Sequence, residues 1–126
     1  MNHGKIHIVE PGLEGLVRSA VDAGYLTAHT TPQQADVFLV AVPPFNGEDR
    51  EPDLSFIQQA AISLAPRLEP DNLVILESTL PVGTTDLMAS WLSEARPDLT
   101  FPHTVKAGSC PDVLVAYCPV TSYVNW

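Results

Sequence analysis

The sequence predicts an α/β fold: a parallel sheet with flanking helices. Three observations carry that expectation. Residues 37–42, 73–76 and 113–117 read VFLVAV, LVIL and VLVAY. These are short apolar runs without alternation, the mark of strands covered on both faces of a parallel sheet. Two helical patterns lie between them, at 54–68 and from 83 to 94 or 95. Each run then breaks sharply, at Pro43-Pro44, Ser78-Thr79 and Cys118-Pro119. Strands that alternate with helices make βαβ units with right-handed crossovers.

Each element has its own reason. Residues 10–24, EPGLEGLVRSAVDAG, place Leu13, Leu16, Val17, Ala20 and Val21 on one apolar face, with Pro11 in the first turn and Gly24 as the stop. Residues 26–30 are expected as a short strand, and residues 31–36 as a helical turn or loop. Asp53 is placed to cap the helix over 54–68, which sets Leu54, Ile57, Ala61, Leu64 and Leu68 on one side. Asp71-Asn72 turns the chain into the second apolar run. The helix from Gly83 carries Leu87, Met88, Trp91 and Leu92, with Thr84 and Thr85 at its start. Residues 96–111 read as loop with a possible strand at 99–101, ahead of the third run.

Composition bounds the function. The chain has 126 residues, 45% of them hydrophobic, enough for the core of one small domain. Its formal charge is −9, with six Lys and Arg in all. Neutralising phosphates on a basic surface needs more, so no nucleic acid partner is expected. A phosphorylated small molecule stays possible, because backbone N–H groups at a helix start hold anions without net charge. The longest apolar run, VFLVAVPPF, is too short to cross a bilayer, and MNHGKIHIVE has no secretory apolar region. No membrane partner and a cytoplasmic location are the expectation. His3, His7, His29 and His103 are scattered, and Cys110 and Cys118 have no clustered histidines, so no metal site is expected.

In open parallel sheets, ligands lie beyond the carboxyl ends of the strands. Ser78 and Thr79 sit at such an end. They either satisfy loop N–H groups, or one hydroxyl touches a cofactor or orders a catalytic water. Glu77 is expected to meet solvent or a backbone donor, and Cys118 to be a buried structural thiol rather than a nucleophile. The run Glu48-Asp49-Arg50-Glu51 reads as a solvated loop. The glycine fingerprint of dinucleotide folds, G-x-G-x-x-G after a strand, does not occur; Gly12 and Gly15 form only a GxxG inside a helix.

The segments IHIVEPGLEGLV, ADVFLVAVP, EPDLSFIQQAA, LVILESTLPVGTT and RPDLTFP, in this order from residue 5 to 119, resemble the UDP-glucose/GDP-mannose dehydrogenase family. The resemblance implies an incomplete Rossmann-like, doubly wound sheet and NAD as cofactor. It also implies a nucleotide-sugar substrate, UDP-N-acetyl-D-mannosamine above others. Members oxidise its C6 alcohol to a carboxylate in two hydride transfers, with a cysteine carrying the intermediate. By resemblance Val42, Pro43, Ser78 and Thr79 lie along NAD, and Thr79 is the catalytic candidate beside the water. Two positions depart from the family. VPPF stands where VPTP is usual, and Val120 where a catalytic Glu follows CP. The resemblance makes residues 1–126 a single truncated NAD-binding domain, with the family's first strand and its catalytic and UDP-binding domains outside. The chain alone is then expected to be inactive. Its VFLVAV edge would favour homo-oligomers or aggregation, or a purely non-catalytic interaction module.

Overall fold

The computed structural model describes residues 11–41, 54–77, 80–102 and 107–118. The chain divides into two compact units, Met1–Thr31 and Pro32–Trp126.

In the first unit, helix α1 spans Leu13–Asp22 and buries Val17. Its N-cap is Gly12 at φ 81°, so Pro11 precedes the helix instead of opening it. The other end closes as the spacing predicts. Gly24, at φ 79°, donates its N–H to Val21 O at 3.0 Å, and Tyr25 N donates to Ala20 O at 2.9 Å. This paired closure needs a left-handed residue, which glycine supplies without a Cβ clash. Residues 26–30 form no strand. Strand geometry is held by a neighbour's ladder, and the sheet among the described residues is made of three strands from the second unit.

The second unit runs β1 (Val37–Val40), α2 (Ser55–Leu64), a 3₁₀ turn (Ala65–Arg67), β2 (Asn72–Glu77), α3 (Thr84–Ala95) and β3 (Val113–Cys118). The sheet order is β1-β2-β3 and both pairings are parallel. Phe38 pairs with Val74 and Val74 with Val115; Val40 pairs with Leu76 and Leu76 with Tyr117. The parallel α/β fold is therefore as expected from the three apolar runs.

Side-chain alternation sorts the sheet into two faces. On one face Val40, Val74, Leu76 and Val113 join Ile57, Ala61 and Leu64 of α2 and Met88 and Leu92 of α3 in a buried core. On the other, Val37 is 52% exposed, Leu39 57% and Leu114 53%. The expectation that the strands are covered on both faces is thus met on one face only. Unbroken apolar runs report strands built for two covers, and the described elements of the second unit supply one.

Other differences have local causes. α2 ends at Leu64 rather than 68, because Pro66 has no N–H to continue the helix and a 3₁₀ turn follows. The N-cap position of α2 is Leu54, with no side-chain cap bond; Asp53 lies outside the described residues. Residues 99–101 are not a strand, yet Leu99 and Phe101 are buried in the core. Their segment is tied to the start of β3 by a reciprocal pair. Thr100 N donates to Asp112 Oδ2 at 2.9 Å, and Asp112 N donates to Thr100 Oγ1 at 2.8 Å. No helix among the described residues is long and apolar enough to cross a membrane.

Candidate functional site

The parallel sheet directs the carboxyl ends of β2 and β3 to one edge of the second unit. There Glu77, the last residue of β2, pairs in register with Cys118, the last of β3. Between β2 and α3 the chain passes through Ser78 and Thr79 and re-enters the described residues at Leu80. A turn through Pro81, Val82 and Gly83 then starts α3.

Gly83 makes that start possible. It is the N-cap of α3 at φ 91°, a conformation that L side chains rarely adopt, and no atom stands within 4 Å of where a Cβ would be. Thr84 follows, buried, with its Oγ1 donating to Pro81 O at 2.7 Å and its N–H to the same oxygen at 3.3 Å. The hydroxyl therefore serves the turn and not a ligand, in keeping with the expectation that it is a helix-start residue. The first regular helical bond is Leu87 N to Gly83 O at 3.1 Å, so the amides of Thr85 and Asp86 lie ahead of it.

A cavity of about 210 Å³ opens here, lined by Leu80, Pro81, Val82, Gly83, Thr84, Thr85 and Tyr117. It takes one end of a large ligand rather than the whole. Asp86 stands in the first turn of α3 and already offsets the positive end of the helix dipole. The cavity thus suits a neutral amide or hydroxyl better than a pyrophosphate. Tyr117 closes its far side, 41% exposed, and its phenolic oxygen accepts a hydrogen bond from Leu80 N at 3.2 Å. A second, open groove of about 450 Å³ runs along β1 and α2, with Pro32, Phe38, Val40, Ala60 and Leu64 among its lining. Both are lined mainly by apolar surface, and it is the smaller cavity that gathers a helix start, a threonine pair and a phenol at the carboxyl ends of strands.

Val42, Pro43, Ser78 and Thr79, the residues singled out from the sequence, lie outside the described residues. Their chain neighbours Ala41, Glu77 and Leu80 are described, and Leu80 is in the cavity wall. Cys118 corrects an expectation: it is exposed, not buried. By strand alternation it shares a sheet face with Leu114, which is exposed too. Sequence reasoning passed over Tyr117. Its signal was present, since a phenol at the end of an otherwise apolar strand places a hydroxyl where loops converge.

The comparisons agree with this architecture. The sequence profile of the UDP-glucose/GDP-mannose dehydrogenase family, NAD binding domain, matches residues 1–125. The chain is 58% identical over 120 residues to the UDP-N-acetyl-D-mannosamine dehydrogenase of Yersinia pestis, covering 94% of this chain and 28% of that one. The enzyme of the same name from Escherichia coli K12 is 57% identical over 120 residues, with the same coverage. Among solved structures, UDP-N-acetyl-mannosamine dehydrogenase Cap5O from Staphylococcus aureus superposes with a TM-score of 0.78 at 32% identity, over 94% of this chain and 27% of that one. The chain thus spans a little over a quarter of the length of these relatives. The parallel sheet, the carboxyl-end turn and the match along 1–125 lead to one conclusion: the chain belongs to the UDP-glucose/GDP-mannose dehydrogenase family, through its NAD-binding domain.

Proposed function

We propose that this chain is the cofactor-holding part of an NAD-dependent nucleotide-sugar 6-dehydrogenase. Its substrate is UDP-N-acetyl-D-mannosamine, oxidised to UDP-N-acetyl-D-mannosaminuronate for polysaccharide precursor synthesis in the cytoplasm. One observation carries the reading: the family match covers residues 1–125, and within it the turn from β2 to α3 forms a cavity at the carboxyl ends of parallel strands. When bound there, NAD supplies the hydride acceptor. The chain's own residues bind and orient it. Thr79, next to the cavity wall at Leu80, contacts the cofactor and orders the catalytic water; Ser78, Val42 and Pro43 line the same ligand. The sugar is assigned from the relatives at 58% and 57% identity, against 53% for a relative named NDP-N-acetyl-D-galactosaminuronic acid dehydrogenase.

The test is calorimetric. Titrating NAD into the chain is expected to give saturable heat, and Thr79→Ala to weaken binding about fivefold, the worth of one hydrogen bond. Heat equal to dilution throughout would remove the cofactor reading. With UDP-N-acetyl-D-mannosamine and NAD together, the 126-residue chain on its own is expected to produce no NADH. Sustained turnover would contradict that expectation.

A second reading has its own observation. Among the described residues β1 has a strand neighbour on one side only, and Val37 and Leu39 are exposed beside that edge. An interaction module that self-associates through β1, without catalysis, is consistent with this. Absence of NAD binding together with concentration-dependent dimerisation would favour it.

A further inference from the structure

Leu80, on the crossover from β2 to α3, and Tyr117, on β3, stand 37 residues apart and are joined by the hydrogen bond from Leu80 N to the Tyr117 hydroxyl. The donor is the amide of the Thr79–Leu80 peptide. The Leu80 side chain packs against the core, whereas the hydrogen bond to Tyr117 is what fixes its backbone amide. Val82 is fully exposed, and the bonds from Thr84 to Pro81 O are local to the turn. Tyr117, by contrast, is fixed by the sheet, with its Cα paired to Leu76, and Leu76 is wholly buried. A rigid strand therefore reaches across to a polar loop. A leucine at 117 would continue the apolar pattern of β3 but would leave the Leu80 amide without this acceptor.

We propose that Tyr117 is a positioning residue of the dinucleotide site: its hydroxyl holds the Leu80 amide so that the turn entering α3 keeps its ligand-ready geometry. The proposal rests on the cofactor reading above. Tyr117 acts through the amide it holds, so its removal loosens the turn before it changes any direct contact. Phenylalanine keeps the ring in the cavity wall and removes only the acceptor, which separates holding from packing.

The experiment compares the full chain with Tyr117→Phe and Tyr117→Leu by amide hydrogen exchange, calorimetric NAD titration and urea unfolding. Tyr117→Phe is expected to speed exchange of the Leu80 amide about tenfold and to weaken NAD binding about fivefold, with the urea midpoint unchanged. If Tyr117 only packs its ring, Tyr117→Phe matches wild type in exchange and affinity and only Tyr117→Leu falls, which overturns the proposal. If wild type itself binds no NAD, the cofactor reading fails and the proposal falls with it. Equal binding by wild type and Tyr117→Phe removes the tyrosine proposal alone.

Discussion

Arg96 and Asp98 meet side by side, with Nε donating to Oδ1 at 2.9 Å and Nη2 to Oδ2 at 2.7 Å. The remaining nitrogen, Nη1, donates to Ala65 O and to Leu68 O, both at 2.9 Å. One side chain just after α3 therefore ties together the carbonyls that follow α2, at residues whose own side chains are buried. Asp98 presents the guanidinium edge-on, a fork that lysine cannot copy. Arg96→Ala is expected to lower unfolding stability in urea by about 2 kcal/mol, from two carbonyls losing a charged donor. Arg96→Lys should recover less than half of that. A wild-type midpoint for Arg96→Ala would show the carbonyls to be satisfied by water.

The same pair makes stability depend on acid. The hydrogen bonding donated by Arg96 holds the Asp98 carboxyl below its ordinary range, and the same bonding raises Arg96 above its own. A carboxyl with a lowered folded-state pKa contributes stability that is present above its unfolded value, about 4. That contribution is lost as pH falls through the lowered folded value. Arg96 stays charged throughout. Urea midpoints recorded from neutral pH down to about 2 should fall less steeply for Asp98→Asn than for wild type. Asp98 is exposed, so the difference will be small and will shrink in high salt. Parallel profiles would disprove the coupling.

Gly83 and Gly15 offer a matched pair. Both have open space where a Cβ would go, but only Gly83 has a positive φ, at 91°. Gly83→Ala is expected to cost about 1–2 kcal/mol and to weaken NAD binding, because the start of α3 must shift. Gly15→Ala, inside α1, should be neutral or stabilise by up to about 1 kcal/mol. Thermal melts of both variants check the contrast.

Leu39 lies on β1, a strand with one neighbour among the described residues, and is 57% exposed. Leu39→Lys should suppress self-association while changing monomer stability by no more than about 0.5 kcal/mol. Light scattering across a concentration series reads the first effect and urea unfolding the second. A wild-type chain that stays monomeric at every concentration would refute pairing through this edge.

Phe101 is fully buried although it lies outside any helix or strand. Phe101→Ala is expected to cost about 3–5 kcal/mol, as for a core aromatic. Val82→Ala, at a fully exposed position, should cost nothing measurable. Denaturant unfolding of the two variants distinguishes a core role for the loop from a peripheral one.

Much of this fold was legible in residues alone. The runs at 37–42, 73–76 and 113–117 specified β1, β2 and β3 and their parallel sense, because apolar runs separated by helical periods have few other ways to pack. The helix starting after Gly83 and the helix end at Gly24 were readable as well, since a left-handed backbone narrows the choice of residue. What tertiary structure alone decided depends on neighbours that a linear pattern does not name. Residues 26–30 are irregular rather than a strand, Cys118 is exposed at the end of β3, and Leu99 and Phe101 are core residues without being strand residues. The bond between Leu80 and Tyr117 is of the same kind. Hydrophobic period sets which side of an element turns inward; which distant group then comes within bonding distance is set only when the crossovers close.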